Sequence, residues 1–262
     1  MEVTIIIVTG LALGSFVNAL VWRMKKRRNW VSERSECSAC GHKLSAFDLI
    51  PLFSYLFLAG KCRYCKKPIQ DSPLVEVGTA LALLFSYLYW PHGFDALGSI
   101  RFALWVLSLV LLVAMFVYDM RWMILPDKLT RTLLLVASVQ VLVLVLFGRF
   151  NLSDVPTLIL SVLIGGGVFH LIYEYSDGKY IGGGDVKLGY AYGLLLLNPL
   201  HSWMVITIAS LIGSLFALWM LVFKKRSLTS KLPFGPLLII GVYVAFLFGE
   251  ELWRYVNTLM LY

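Results

Sequence analysis

Eight apolar runs, at residues 3–22, 74–90, 100–118, 129–148, 155–173, 188–200, 203–223 and 234–253, dominate this 262-residue chain. Most are long enough to cross the roughly 30 Å of hydrocarbon in a bilayer as helices. Lipid offers no water to satisfy a free backbone group, so it permits little but helices and closed barrels. Hydrophobic residues make up 59% of the chain against 15% charged, which rejects a soluble globular protein. The expected fold class is an all-α polytopic membrane protein with about eight transmembrane helices. The segment 188–200 is short, so tilt, a thinned bilayer or shelter by neighbouring helices must accommodate it.

The net charge of +8 would suit a nucleic-acid binder, but its distribution argues against one. If the first run passes from outside to inside, the cytoplasmic connections hold eleven Lys/Arg in 23–73, three in 119–131, two in 174–187 and four in 224–231. Only Arg101, Arg149 and Arg254 fall outside. That asymmetry is the positive-inside signal, and it places both termini outside the cytoplasm. The start Met1-Glu2-Val3 carries no cation, unlike a cleaved signal peptide, so the first run reads as an uncleaved anchor. Within it, Gly10, Gly14 and Ser15 make a small-residue face suited to close helix contact.

The connection 23–73 is the one sizeable polar piece, a cytoplasmic loop. It opens on Lys25-Lys26-Arg27-Arg28, a topology signal beside lipid headgroups. It holds all four cysteines as two CxxC pairs, Cys37/Cys40 and Cys62/Cys65, with 21 residues between them. Four thiolates at this spacing close tetrahedrally around zinc, leaving no open position, so the metal is structural. Two disulfides are the competing reading, disfavoured in a reducing cytoplasm. His42 is read as a surface residue and not a ligand. Between the pairs, Phe47 to Phe57 is too short and too interrupted by Pro51 to span, and reads as an interfacial amphipathic piece resting on the membrane surface.

The chemistry concentrates in two acids. Gly182-Gly183-Gly184-Asp185 precedes one apolar run and Asp119 ends another, at matching cytoplasmic depth. Glycines permit positive φ and close approach of another chain. Two carboxylates held together cannot both ionise easily, so such a pair shares a proton near neutral pH and can perform aspartic-protease chemistry. Neither GxSxG nor HExxH is present. Taken singly, Asp185 could be a helix cap and Asp119 a polar stop. Asp127, after Pro126, rivals Asp119 but reads as an N-cap.

Read in order, Gly10 to Asn18 with Arg23, the two CxxC pairs, Asp48-Leu49-Ile50-Pro51-Leu52-Phe53-Ser54-Tyr55, Leu58 to Arg63, Pro73-Leu74-Val75-Glu76, Asp119 with Leu125-Pro126-Asp127, and Gly182 to Lys187 resemble the type IV prepilin peptidases. The match covers most of the chain. It departs in lacking a proline within Arg23-Met24-Lys25-Lys26 and in having Phe47 where the family often has tyrosine.

The resemblance implies a bacterial inner-membrane aspartyl protease of the GxGD type. Asp119 and Asp185 would be its catalytic pair, with Gly182 and Gly184 supporting the active-site loop. It implies a prepilin or pseudopilin substrate whose short basic leader is cut before an apolar helix. It also implies N-methylation of the new amino terminus from S-adenosylmethionine in the amino-terminal region. Residues 1–98, including the zinc loop, would form the methyltransferase-like part, and 99–262 the peptidase membrane domain. No Gly-rich dinucleotide fingerprint marks the methyl-donor site; Asn18, Arg23, Asp48, Gly60 and Glu76 are the motif residues to test. A peptidase without methylation, or an ion-coupled transporter or assembly scaffold, are the alternatives; the latter predicts internal repeats and midplane charges, which the sequence lacks.

Overall fold

The computed structural model describes residues 1–29, 35–69, 71–224 and 233–260. Among them there is no strand, only the isolated bridges Glu36–Lys43 and Lys61–Pro68. Six helical stretches are long and apolar enough to cross a membrane, so this is a multi-pass membrane protein. Among the described residues, the expected count of about eight resolves into these six, one shorter apolar helix, Pro73–Leu88, and the short helix Gly183–Leu196. The basic connection at 224–231 lies, beyond Lys224, outside the described residues. The chain separates into two compact units, Met1–Trp90 and Pro91–Tyr262.

The first unit is an antiparallel pair, α1 (Glu2–Lys25) and α3 (Pro73–Leu88), joined by the cysteine loop with its 3₁₀ turn Ala46–Leu49 and one short helix, α2 (Phe53–Phe57). Tyr87 donates to Glu2 Oε2 at 2.6 Å at one end, and Asn18 Nδ2 to the Ser72 carbonyl at 3.2 Å at the other. Between them Gly10 faces Ala80 and Gly14 faces Glu76, so each step of four along α1 is matched by four back along α3. A Cβ on either glycine would come within 2.5 Å of the opposing Cα. Backbones approach this closely only where side chains are absent, as membrane helix pairs require. In the loop, Phe47, Phe53, Leu56 and Phe57 are all exposed, as an interfacial piece demands.

The second unit holds α4 (Ala96–Trp122), α5 (Asp127–Leu146), α6 (Val155–Val162), α7 (Val168–Tyr175), α8 (Gly183–Leu196), α9 (Pro199–Lys224) and α10 (Gly235–Met260). Its centre is α8, whose Val186, Leu188, Ala191, Tyr192, Leu195 and Leu196 are all buried. Beyond the exposed Lys187 in its opening turns, the helix has no exposed residue and belongs inside a bundle. At about 21 Å long it falls short of the hydrocarbon thickness, and shelter by neighbours is how the chain accommodates it. The helix begins five residues before the apolar run that marks it in the sequence, because Gly183, Gly184 and Asp185 are helical without being apolar.

A π-helical turn, Leu163–Gly167, separates α6 from α7, and its glycines are what let α8 in. A Cβ on Gly189 would sit 2.4 Å from the Gly165 carbonyl, and one on Gly166 would strike the Tyr190 ring. The Tyr192 hydroxyl donates to Gly165 O at 3.1 Å, taking up an acceptor that the widened turn exposes. Ser161 Oγ donates to Gly193 O at 2.7 Å, and Gln140 Nε2 to Leu195 O at 3.2 Å. These bonds fix α8 along its length, and with it the position of its first turn.

The α1–α3 contact yields a paired prediction. Gly10→Ala should lower the thermal midpoint of the detergent-solubilised protein, since overpacking costs about 1–3 kcal/mol. Gly78→Ala, on α3 with nothing within 4 Å of its added Cβ, should leave the midpoint unchanged or slightly higher. Equal midpoints for the two variants would remove the close packing.

Candidate functional site

Four segments of the second unit converge on the two acids. Asp119 lies one turn before the end of α4, buried at 5% exposure. Asp185 occupies the first turn of α8 and is partly exposed. The two carboxylates act on each other electrostatically. Asp119 accepts from the backbone N–H of Gly235, the first residue of α10, and Asp185 from that of Gly182, the N-cap of α8. Two helix starts thus present their amides and positive dipole ends to the pair. Leu125, in the link between α4 and α5, packs beneath it: a Cβ on Gly184 would come within 2.8 Å of Leu125 Cβ.

The glycines act here by absence of bulk. None of Gly182, Gly183 and Gly184 uses the positive φ that glycine permits. Gly184 admits Leu125, and a Cβ on Gly235 would lie 2.6 Å from Asp119 Oδ2. Asp185 is not the cap of its helix, since Gly182 is. Asp127 is likewise no N-cap: Pro126 holds that position, and Asp127 accepts an ion pair from Lys187 Nζ at 2.7 Å. This bridge ties the start of α5 to the first turn of α8, two residues from Asp185. Sequence reading missed Gly235, Leu125 and the role of Lys187. The Pro-Phe-Gly-Pro stretch at 233–236, at the start of an apolar run, was the available signal for the first.

In the first unit the four cysteine sulfurs lie within 4.8 Å of one another, with Cys37 Sγ and Cys65 Sγ at 3.9 Å. A tetrahedral zinc with bonds of about 2.3 Å separates its sulfurs by about 3.8 Å, so the cluster fits that ion. The two halves repeat one backbone design. Gly41 N–H donates to Cys37 O at 2.9 Å and Lys66 N–H to Cys62 O at 3.0 Å. Gly41 and Lys66 both have positive φ, at 72° and 59°. His42 is outside the cluster and stacks on Tyr64 with ring centroids 3.7 Å apart.

Beside the cluster, Asn18, Arg23, Asp48 and Glu76 line one pocket together with Ser15 and Tyr55. Gly60 is not in its wall; its positive φ of 69° shapes the turn behind Tyr55. Asp48, with only 3% of its side chain exposed, accepts from Ser45, from Arg63 Nε at 2.7 Å and from the Tyr64 hydroxyl at 3.1 Å. Burial opposes its ionisation, but the hydrogen bonds from Ser45, Tyr64 and Arg63 outweigh it and hold the carboxyl below its ordinary range. Glu76 accepts from the Leu52 N–H at 2.6 Å, so it holds the loop and does not cap α3, whose cap is Ser72. Asn18 Oδ1 is buried with no partner among the described residues. A buried acceptor left open costs about 1–3 kcal/mol unless a donor arrives. An amino group or ribose hydroxyl of S-adenosylmethionine supplies such a donor, so these residues fit that molecule.

Comparison with known proteins gives the same picture from outside the structure. Residues 8–90 match the bacterial peptidase A24 N-terminal domain, and residues 105–218 the type IV leader peptidase family. The chain is 32% identical to a prepilin leader peptidase/N-methyltransferase of Pseudomonas aeruginosa, over 95% of this chain and 91% of that one. It is 32% identical to the protein of that name from Xanthomonas campestris pv. campestris, over 93% and 90%. A type 4 prepilin-like proteins leader peptide-processing enzyme of Escherichia coli is 33% identical over 89% of each. No solved structure matches. A two-unit membrane chain with an acid pair at two helix starts, matched over nearly its whole length in this way, belongs to the type IV leader peptidase family.

Proposed function

We propose that this chain cuts the short basic leader from type IV prepilins or pseudopilins and then methylates the new amino terminus with S-adenosylmethionine. The observation that carries the first half is the convergence of buried Asp119 and accessible Asp185 on the amides of two helix starts. The ionised carboxylate takes a proton from water as the water oxygen bonds to the scissile carbonyl carbon. The protonated one gives its proton to the carbonyl oxygen. Collapse of the tetrahedral adduct breaks the C–N bond, and the proton held by the pair goes to the leaving amine. Burial of Asp119 excludes competing water and strengthens each of these transfers.

Residues 99–262 would carry this cleavage, and 1–98 the methyl transfer. The pocket holding Asn18 and Glu76 supports that division, with Asn18 Oδ1 as an open acceptor for the donor molecule. Bound there, S-adenosylmethionine supplies an electrophilic methyl group on sulfur. The carboxylates lining the pocket orient the amine. Zinc in the Cys37, Cys40, Cys62 and Cys65 cluster would hold the loop that forms the pocket wall. In this reading the protein sits in the inner (cytoplasmic) membrane with both termini outside and the acid pair toward the cytoplasm, where the cations concentrate.

Mass spectrometry of a prepilin incubated with purified enzyme tests the acid pair. Wild type should release the leader and add one methyl group. Asp119→Asn and Asp185→Asn should each slow cleavage at least about 100-fold, the range of general acid–base catalysis. An Asn variant that still cuts at the wild-type rate would take that acid out of the mechanism.

Asn18→Ala and Glu76→Gln should behave in the opposite way, leaving leader loss intact while the mature product stays unmethylated. Methylation at wild-type rate in both would move the methyl-donor site elsewhere.

Purified wild type should carry about one zinc per chain by elemental analysis. Cys37→Ser with Cys62→Ser should carry none and lose methylation first. Full methylation without metal would show that the cluster has no part in shaping the pocket.

A further inference from the structure

At the far end of the second unit from the acids there is a second open cavity, of about 480 Å³, between the start of α4, the end of α5, the start of α6 and the end of α8. Arg101 and Arg149 both line it; they are two of the three cations that the topology leaves outside. Neither forms an ion pair among the described residues, and Arg101 Nε is buried with no hydrogen-bond partner. A buried guanidinium donor left open calls for an anionic oxygen.

The cavity also holds two carboxylates, Asp95 and Asp154, and each has one oxygen engaged. Asp95 Oδ1 accepts from the Gly98 N–H at 2.8 Å, and Asp154 Oδ2 from the Asn151 N–H at 2.8 Å. The second oxygen of each is left for another donor. Burial, and then the charge of Arg101, push His92 down to about 4, so its ring adds no charge to the cavity. The lining therefore pairs two fork-shaped cations with two half-used acids, and its formal charge balances. A simple anion answers only half of that pattern.

Depth narrows the ligand further. Arg101 lies about 8 Å along α4 from its start, where a long cationic side chain reaches the headgroup layer of a bilayer. We infer that this cavity binds a phosphoethanolamine group, its phosphate on Arg101 and Arg149 and its primary ammonium beside Asp95 and Asp154. The source is either a membrane lipid bearing that headgroup or the soluble molecule. A choline headgroup offers the same phosphate but no N–H donors, and a glycerol headgroup offers no cation.

Native mass spectrometry of the full chain, released from nanodiscs of equal phosphatidylethanolamine, phosphatidylcholine and phosphatidylglycerol, tests this. Wild type should retain one phosphatidylethanolamine about tenfold over either competitor, the worth of a single charge-assisted hydrogen bond. Arg149→Gln, at an exposed side chain, and Arg101→Gln should each abolish retention, while Arg149→Lys keeps most of it. Asp154→Asn should retain the ethanolamine and glycerol lipids equally. A soluble source shows itself if millimolar phosphoethanolamine raises the thermal midpoint of the detergent-solubilised wild type, but not of Arg149→Gln, and no lipid is retained. The inference is overturned if wild type shows neither lipid preference nor a phosphoethanolamine shift, or if the preference survives in both Gln variants.

Discussion

A carboxylate at membrane depth is tolerable only where protein groups replace the water it has lost, and this requirement organises the second unit. Asp119 is buried within a helix of spanning length, and an unpaired acid there would be costly. Its relief comes from the start of another helix, through the Gly235 amide. That amide can reach the acid only because residue 235 has no side chain; any Cβ would lie 2.6 Å from the carboxylate oxygen. Asp185 is relieved by the amide of Gly182, the N-cap of its own helix, where an added Cβ would make only an ordinary 3.5 Å contact. Helix ends are the one place in lipid where free backbone donors exist without breaking a ladder, so an acid pair in a helical membrane protein gathers helix starts around it.

This requirement in turn explains why α8 is glycine-lined. The first turn of α8 lies beside the end of α4 and is partly exposed, while its later turns, from Leu188 to Leu196, run into the bundle and are largely buried. The buried turns of α8 need neighbours that come close, and Gly165, Gly166, Gly189 and Gly193 supply the room. The π turn between α6 and α7 is part of that accommodation. It exposes the Gly165 carbonyl at the point where Tyr192 can use it. The polar bonds of Ser161 and Gln140 to α8 carbonyls then resist sliding, which apolar packing alone would permit. Placement of Asp185 thus rests on contacts as far as two turns and more from it.

Much of this was legible in the chain and some was not, for definite reasons. Apolar length located the long helices, because lipid imposes length and polarity directly on sequence, but it showed neither the short Phe53–Phe57 helix nor the π turn that divides the run 155–173. It misplaced the start of α8, because glycine and aspartate are helical there for reasons of site geometry. The acids stood out as charges against an apolar background, and the cysteines by spacing. Gly235 and Leu125 did not, since what they provide is absent bulk and shape, and neither leaves a polar trace. Asp127 was read as a cap because the local rule for an acid after proline favours one; a tertiary partner, Lys187, decided otherwise.

The first unit solves a different problem, that of giving form to the long connection between α1 and α3, which has no core of its own. Its loop has few buried apolar side chains, and Cys62 is among them. Stability must then come from cross-links and buried polar hubs. Four sulfurs at zinc spacing draw the two knuckles together, and Asp48 ties the second knuckle, through Arg63 and Tyr64, to the 3₁₀ turn at Ser45. Glu76 then fixes the loop to α3 through the Leu52 amide, where the backbone has a positive φ of 61°. A non-glycine residue in that conformation costs on the order of 1 kcal/mol, a strain that the charge-assisted bond to Glu76 can offset. The motif residues Asp48 and Glu76 therefore build the pocket wall before they can act on anything inside it. Asn18 differs from them, since its buried oxygen has no partner among the described residues.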